Sequence, residues 1–235
     1  MIGIIDYNAG NITSRERALK AIGSPFIRSK NPNELKDCDK LIFPGDGEAL
    51  YAMEQLKLSG FDKFLHTAFK NGTPIAGICI GSQIVFDFSE EGNTCCLGLI
   101  PGKIRHLSNI WKERMPTEIE HLEAEEDDRA MLKHSAKIPH MGWNNVSFCN
   151  GGSKFFDGVK DNSNFYFVHS YVIQPEDPGV IKGYADYGAM IPAIIEKDNL
   201  IVFQFHPEKS GEPGLQLLRN FASDKNAKPR EDALC

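Results

Sequence analysis

Residues 77–83, Gly-Ile-Cys-Ile-Gly-Ser-Gln, place Cys79 between two glycines, after one apolar run and before another. A strand that turns sharply into a helix needs glycines beside the turning residue, because Cβ atoms there would clash. Such a turn would hold the Cys79 thiol at a helix start, where unpaired N–H groups favour the thiolate. The pattern predicts a nucleophile, and the alternative is a small buried cysteine without chemistry.

A nucleophilic cysteine needs a base, and residues 204–211, Gln-Phe-His-Pro-Glu-Lys-Ser-Gly, offer His206 after a strand-like run. If this strand is parallel to the one that carries Cys79, both residues emerge where ligands bind in open α/β sheets. Pro207 favours an extended chain, in which Glu208 points to the same side as His206. A triad of Cys79, His206 and Glu208 is therefore predicted. A strand-end histidine capped by a surface glutamate would also explain this segment taken alone.

Acyl chemistry at a thiol also needs N–H donors for the developing oxyanion. The backbone N–H of Ile80 is one candidate, and the sequence Pro-Gly-Asp-Gly at residues 44–47 could supply the N–H of Asp46 or Gly47. An ordinary tight turn is the alternative for this segment. A carboxylate about 6 Å from an oxyanion would oppose it by roughly 3 kcal/mol at an effective dielectric near 20. We therefore expect the Asp46 side chain to point away, toward a basic group or toward N–H groups at a helix start. Of these two, we predict that it caps a helix that begins near Glu48.

The elements that must position these residues follow from the apolar pattern. In the first 90 residues, apolar runs alternate with helix-length amphipathic segments, which is typical of βαβ units around a parallel sheet. Strands are predicted at residues 2–6, 40–45 and 74–78, and helices at 12–22 and 80–88. Further strands are predicted at 99–104, 164–173, 180–185, 192–197 and 200–205, before a last helix at 212–221.

These elements predict one α/β domain over residues 1–222, with a mostly parallel sheet flanked by helices, and a polar tail over 223–235. Residues 109–134 differ in composition, since they carry eight acidic residues and few apolar ones. We interpret this stretch as an acidic surface insertion. A flap that contacts a partner is the alternative.

The bulk composition excludes several classes of protein. The net charge is −6 without a long basic run, which argues against nucleic acid as a partner. No apolar window approaches the ~20 residues of a membrane span, and the first residues read as a mature strand rather than a signal segment. Six cysteines stand without metal-binding spacing, so we expect reduced thiols, a cytoplasmic protein and no metal site.

Taken together, these motifs resemble the class I glutamine amidotransferase family, whose flavodoxin-like domain carries a Cys-His-Glu triad. Within it, five segments resemble the glutaminase subunits of imidazole glycerol phosphate synthases: residues 6–11, 98–104, 139–144, 166–171 and 204–211. The match covers roughly residues 1–105 and 138–222.

The resemblance implies that Cys79 attacks the side-chain amide of L-glutamine and that ammonia is the product. It implies that Gln83 and the backbone around Ser170 and Tyr171 hold the amino-acid end of glutamine, and that no cofactor is needed. It also implies a heterodimer with a separate (β/α)8 cyclase subunit, which uses the ammonia to make imidazole glycerol phosphate for histidine synthesis. The residues implied at the docking face are His140, Met141, Trp143 and Lys209.

The sequence departs from the family pattern at Asp46, where an apolar residue is usual, and at Ser82, where methionine is common. A core aromatic is the alternative role for Trp143. For the whole chain, the alternatives are a related glutaminase that feeds an amidino-sugar synthase, or a thiol peptidase or inactive binding subunit on the same scaffold.

Overall fold

The computed structural model describes residues 1–9, 12–114 and 137–224 of the 235-residue chain. It has the expected α/β architecture with flanking helices. The expectation of a mostly parallel sheet is wrong, because half of the strand pairs in the main sheet are antiparallel. Most of the predicted acidic insertion and of the C-terminal tail lies outside the described residues. Across those described ranges, no helix combines the length and apolar character that crossing a membrane requires.

The strands are β1 (Ile2–Ile5), β2 (Phe26–Ser29), β3 (Lys40–Gly45), β4 (Ile75–Cys79), β5 (Phe88–Ser89), β6 (Thr94–Cys95), β7 (Gly102–His106), β8 (His140–Phe148), β9 (Ser163–His169), β10 (Tyr171–Pro175), β11 (Ile181–Asp186), β12 (Met190–Lys197) and β13 (Leu200–Phe203). The helices are α1 (Ile12–Ala21), α2 (Pro32–Leu35), α3 (Ala49–Ser59), α4 (Phe61–Lys70), α5 (Ile80–Gln83), α6 (Leu107–Arg114) and α7 (Gly211–Ser223).

The main sheet has the order β2-β1-β3-β4-β13-β12-β11-β8-β9. Strands from β2 to β13 run parallel, and those from β12 to β9 pair antiparallel. Gly45 lies opposite Cys79 in the β3–β4 ladder, and Phe203 lies opposite Ile78 in the β13–β4 ladder. The carboxyl ends of β3, β4 and β13 therefore meet at one edge, where α/β sheets bind ligands.

Apolar layers cover both faces of this sheet. Along β3, Leu41 and Phe43 belong to the cluster that includes Met53 of α3 and Leu65 of α4. Ile42 instead packs in the cluster that contains α1 and α7 side chains. This alternation follows from the twofold side-chain period of a strand. Packing on both faces holds in place the strands that lead to residues 46, 79 and 206.

The helix expected at residues 80–88 is wrong in length, since α5 ends at Gln83. The next three carbonyls, those of Ile84, Val85 and Phe86, accept hydrogen bonds from the amides of residues 97–100. Because these bonds tie the chain to a distant loop, they replace the helical pairing that the local pattern favours.

The strand expected at residues 164–173 is divided into two. β9 joins the main sheet, whereas β10 belongs to a second sheet of order β10-β7-β5-β6. The break falls at Ser170, whose carbonyl accepts a hydrogen bond from Leu107. The other predicted strands and helices are found with ends shifted by a few residues, as is usual for boundaries.

A buried histidine pair joins β8 to β9. His140 lies opposite His169 in the ladder, and their Nδ1 and Nε2 atoms are 2.9 Å apart. His169 Nδ1 donates to the Tyr171 carbonyl at 2.8 Å, so in a neutral His169 the Nε2 atom accepts from His140 Nδ1. Burial lowers the pKa of His140 to about 4 and that of His169 to about 3.

We predict that Gly81→Ala destabilises the protein by roughly 1–3 kcal/mol, as overpacking does. A Cβ atom at position 81 would lie 2.2 Å from the Phe43 carbonyl oxygen, which is backbone and cannot rotate away. Urea denaturation measures the change. Gly179→Ala is the matched control, because its Cβ would meet only the rotatable Asp177 side chain at 3.0 Å. Equal midpoints for the two variants would contradict the prediction.

We also predict that stability falls as the pH drops below 6.5. The folded histidine pair has pKa values below the unfolded value of about 6.5, so the unfolded chain takes up protons first. Lowering the pH from 7 to 5 should reduce the free energy of unfolding by up to about 2 kcal/mol for each of these two histidines. His140→Asn should reduce this pH dependence, whereas His66→Asn, at an exposed position, should not. A wild-type slope in His140→Asn would rule out the neutral pair.

Candidate active site

Cys79 ends β4 in a strained turn. Its backbone has φ 56° and ψ −115°, a region that residues with a Cβ rarely adopt, and α5 begins at the next residue. The Ser82 hydroxyl donates to the Cys79 carbonyl at 2.5 Å and closes the turn. A Cβ at Gly77 would lie 2.7 Å from the Gly81 carbonyl oxygen, so both glycines of the motif are needed for close packing. The geometry is that of a nucleophile elbow.

His206 reaches the same place from the end of β13. Its ring, the Cys79 sulfur and an Asp46 carboxylate oxygen lie within 4.8 Å of one another. On the other side of the ring, Nδ1 lies 2.9 Å from Glu208 Oε1, and the Glu208 side chain is fully buried. The chain between them forms a 3₁₀ turn over Pro207–Lys209 rather than the extended segment that Pro207 led us to expect, yet Glu208 still meets His206.

At His206 and Glu208, the effect of charged neighbours on the pKa opposes the effect of burial. Burial alone would lower the pKa of His206, but the neighbouring Cys79 sulfur and Glu208 carboxylate outweigh it and raise that pKa to about 9. Burial alone would raise the pKa of Glu208, but His206 and the Arg15 guanidinium hold it below its usual value. The arrangement thus favours an imidazolium held against an ionised carboxylate.

Arg15, on α1, is a site residue that sequence reasoning missed. Its side chain is 1% exposed, its Nε lies 3.1 Å from Glu208 Oε1, and its Nη2 lies 3.2 Å from His206 Nδ1. The available signal was its place on α1, where it shares the buried face with Ile12 and Leu19. A charged residue on an apolar helix face needs a buried partner, which the local pattern cannot identify.

The expectation that Asp46 caps the helix after it is wrong. The capping position of α3 is Glu48, without a side-chain hydrogen bond, and the Ala49 amide donates to Glu91 Oε2 at 2.8 Å. The two Asp46 carboxylate oxygens instead each accept a bond from Arg15 at 3.0 Å. A buried guanidinium offers a stronger partner than a helix end. As a result, a carboxylate lies beside the thiol.

The candidate oxyanion donors lie around this point. Ile80 begins α5 directly after the elbow, and Asp46 and Gly47 follow Gly45, the ladder partner of Cys79. Gly47 has φ 101°, a backbone conformation that glycine adopts readily and residues with a Cβ rarely adopt. A Cβ at Gly45 would lie 2.8 Å from the Tyr7 hydroxyl, so this glycine also allows close packing.

The expected glutamine-binding residues lie at the junction of β9 and β10. Gln83 Nε2 donates to the Tyr171 carbonyl at 3.1 Å and to Gln204 Oε1 at 3.0 Å. Gln83 Oε1 is buried without a hydrogen-bond partner among the described residues. Ser170 lies between the two strands, two residues after Val168, whose carbonyl is 3.9 Å from the Cys79 sulfur.

The residues expected at a partner surface divide into two groups. Met141 is 61% exposed and Trp143 is 58% exposed on β8, and Lys209 is exposed beside the candidate triad. Trp143 is therefore not a core aromatic. His140 does not belong to this surface, because its ring is buried between Phe167 and Tyr187 at 4.6 and 3.9 Å. Strand alternation explains this, since neighbouring residues face opposite sides.

A broad depression of about 520 Å³ lies elsewhere, near the amino ends of β4 and β13. It is lined by residues such as Pro74, Asp198 and Leu200, and carries none of the site residues described above. The chemistry-bearing residues are at the opposite strand ends.

Comparison with known proteins identifies the family to which this chain belongs. The profile of the family "Glutamine amidotransferase class-I" matches residues 4–225. A protein of Desulfovibrio desulfuricans named imidazole glycerol phosphate synthase subunit HisH is 39% identical over 94% of this chain and 93% of its own length. A protein of the same name from Geobacillus thermodenitrificans is 37% identical over 94% of each chain.

Solved structures share the fold at low sequence identity. A structure titled as a glutamine amidotransferase superposes with a TM-score of 0.66, at 14% identity over 95% of this chain and 99% of the other. The glutaminase domain of Trypanosoma brucei CTPS, with bound acivicin, has a TM-score of 0.60 at 14% identity, over 97% and 96% of the two chains. With a family profile that spans nearly the whole sequence and full-length relatives well above 30% identity, the chain belongs to the class-I glutamine amidotransferase family.

Proposed function

We propose that this protein is the glutaminase subunit of an imidazole glycerol phosphate synthase, acting in the cytoplasm in histidine biosynthesis. The observation that carries the proposal is Cys79 on an elbow, its sulfur within 4.8 Å of a His206 ring nitrogen, while His206 Nδ1 lies 2.9 Å from buried Glu208. The relatives named for this synthase match the chain almost end to end, which favours this member of the family over a glutaminase that feeds an amidino-sugar synthase.

In the first half-reaction, the Cys79 sulfur attacks the side-chain carbonyl carbon of glutamine. The His206 imidazolium, whose raised pKa keeps it protonated, donates its Nε2 proton to the departing ammonia. Water then attacks the glutamyl thioester with His206 as general base, which releases glutamate. Glu208 holds Nδ1 and fixes the ring orientation throughout both halves.

The tetrahedral oxyanion is held by backbone N–H groups in this proposal. Ile80 supplies one from the start of α5, and the peptide at Asp46 or Gly47 supplies another once it turns toward the site. The amino-acid end of glutamine binds beside Gln83 and the backbone at Ser170 and Tyr171, and the Gln83 amide already contacts the Tyr171 carbonyl. Neutral groups orient glutamine without competing for the thiolate.

A (β/α)8 cyclase subunit is proposed as the partner in a heterodimer, receiving ammonia from this site. Met141, Trp143 and Lys209 form its proposed docking surface. Met141 lies opposite Val168 in the β8–β9 ladder, and the Val168 carbonyl approaches the Cys79 sulfur. Docking at β8 is therefore one strand from the nucleophile, which supports coupling between partner binding and glutamine hydrolysis.

We predict that Cys79→Ala abolishes glutamine-dependent synthesis, while the complex supplied with an ammonium salt still makes product. The nucleophile is lost, but the cyclase needs only ammonia. Assays with glutamine and with ammonium on the same preparation measure this. Cys149→Ala, at a half-buried cysteine next to the Ile181 carbonyl, serves as the control and should keep both activities. Substantial glutamine-dependent synthesis by Cys79→Ala would refute the nucleophile assignment.

We predict that the isolated chain hydrolyses glutamine slowly and accelerates when the cyclase and its ribotide ligand bind. Trp143→Ala should weaken the complex by at least about thirtyfold, as loss of an interface hot spot of 2 kcal/mol or more does. Titration calorimetry gives the affinity, and glutamate release gives the rate. Leu58→Ala, 81% exposed on α3, is the control with unchanged affinity. A high rate from the chain alone that the partner leaves unchanged would count against this coupling.

A further inference from the structure

A chain of hydrogen-bonded side chains runs from strand β8 to the proposed glutamine-binding residues. Asn144 Nδ2 lies 3.3 Å from His140 Nε2, and His140 Nδ1 lies 2.9 Å from His169 Nε2. At the far end, His169 Nδ1 lies 2.8 Å from the Tyr171 carbonyl oxygen. We propose that His169 is a positioning residue for glutamine, acting through the Tyr171 carbonyl and Gln83, and that His140 fixes its tautomer. This role rests on the proposed glutaminase function, to which it adds a residue outside the triad and the substrate contacts.

The carbonyl at the end of the chain sets the direction of each hydrogen bond in it. A carbonyl oxygen can only accept, so His169 Nδ1 carries a proton and donates it to Tyr171. In a neutral His169 ring the other nitrogen accepts, which makes His140 Nδ1 the donor to His169 Nε2. His140 Nε2 is then the acceptor for the Asn144 amide. Both rings therefore hold the same tautomer, with the proton on Nδ1.

The surroundings of the two rings keep them neutral and oriented, as this direction requires. Both histidines are buried, and burial places their pKa values well below the usual histidine value. The His140 ring is stacked on Phe167 and on Tyr187, with angles of 17° and 18° between the ring planes. Stacking on both faces fixes the plane of the His140 ring and with it the direction of its Nδ1–H bond.

The Tyr171 carbonyl is shared between His169 and the proposed substrate-binding side chain. Gln83 Nε2 donates to this oxygen at 3.1 Å, so its two lone pairs serve two donors. Because the carbonyl only accepts, the Gln83 amide must turn its nitrogen toward it. The same nitrogen donates to Gln204 Oε1 at 3.0 Å. Two acceptors thus hold the orientation of the Gln83 amide, and His169 holds one of them in place.

The hydrogen bond from His169 to Tyr171 also spans the break between the two sheets. β9 ends at His169, and β10 begins at Tyr171 in the second sheet, with Ser170 between them. One residue before the break, the Val168 carbonyl lies 3.9 Å from the Cys79 sulfur. Residues 168–171 therefore pass the nucleophile where the chain changes sheets, and the His169 side chain ties the two strand ends together across that change.

Loss of the His169 donor should weaken glutamine binding and leave the chemical step nearly unchanged. The Tyr171 peptide would lose one of its two donors, so the peptide and the Gln83 amide would orient the amino-acid end of glutamine less well. The contact between His206 and Glu208 would remain. A raised KM with an unchanged kcat is therefore the signature of this positioning role. A variant that merely loses part of its folded population would show a lower kcat instead.

Two substitutions at His169 separate the two halves of the chain. The amide nitrogen of His169→Asn takes the place of Nδ1 and keeps the bond to Tyr171. The amide oxygen of His169→Gln takes the place of Nε2 and keeps only the bond from His140. In assays of glutamate release by the complex with the cyclase and its ribotide ligand, His169→Gln should raise the KM for glutamine at least about tenfold, as loss of a hydrogen bond to a buried group does. Its kcat should stay within about threefold of the wild-type value.

His169→Asn is the matched variant, and both of its constants should stay within about threefold of the wild-type values, because the donor to Tyr171 is restored. His66→Gln, at an exposed position, is the control for replacing a histidine and should behave like the wild type. Equal KM values for His169→Gln and His169→Asn would overturn the proposal, since the bond to Tyr171 would then not matter for glutamine.

If the His169 variants fail to fold by circular dichroism, NMR spectra of histidine side chains in the isotope-labelled protein give the answer. Near neutral pH, His140 and His169 should both be neutral and protonated at Nδ1. Adding glutamine to the Cys79→Ala protein should shift the His169 Nδ1–H resonance and leave that of His66 unchanged. Protonation of His169 at Nε2, or a His169 resonance that glutamine does not move, refutes the positioning role.

The kinetic outcomes distinguish this role from the proposed function. A wild-type complex that does not hydrolyse glutamine contradicts the proposed function and the positioning role together. A wild-type complex that hydrolyses glutamine with the same KM as the His169→Gln complex contradicts the positioning role alone.

Discussion

The buried Arg15 guanidinium connects the charged groups on which the candidate active site depends. It contacts Glu208, Asp46 and the His206 ring, and its own side chain is almost fully buried. A carboxylate as buried as that of Glu208 would cost several kcal/mol without a charged partner. Burial works against the charge on Arg15, but Glu208 and Asp46 outweigh it and raise the pKa of Arg15. The ion pairs therefore favour the charged forms of Arg15 and Glu208 in the interior.

This charge cluster has consequences for the nucleophile. Asp46 brings negative charge close to the sulfur and to the position of an oxyanion, which opposes both. Arg15 offsets much of that charge, because it lies against both carboxylate oxygens. Asp46 thus shapes the environment of the proposed nucleophile without entering the proposed triad.

The change from parallel to antiparallel pairing in the main sheet places the candidate active site next to an exposed strand pair. The parallel strands β3, β4 and β13 carry the chemistry at their carboxyl ends, while β8 and β9 form a hairpin whose strand β9 reaches the sulfur. Because residues alternate along β8, its exposed side carries Met141 and Trp143 and its buried side carries His140. One side of this hairpin therefore exposes apolar side chains to solvent, and its other side carries the buried, hydrogen-bonded histidine pair.

Much of the fold follows from local patterns. The strand at Lys40–Gly45 was predicted with its observed bounds, and α1 and α7 were predicted to within a few residues, because apolar periodicity reports burial directly. The helix after Cys79 was predicted too long, since the carbonyls of residues 84–86 bind amides that lie a dozen residues further along the chain. The strand at 164–173 was predicted as one, since nothing local distinguishes its two sheets.

The sequence by itself determined which residues could do chemistry: a cysteine between glycines, a histidine at a strand end and a glutamate two residues later. These depend on residue type and near neighbours, which a single chain displays in order. Only the tertiary structure decided which charges meet. Arg15 binds Asp46 across 31 positions and His206 across 191, and such partners are chosen by packing α1 against the strand ends. The Asp46 carboxylate binds the buried Arg15 guanidinium, which becomes its neighbour only when the sheet has formed.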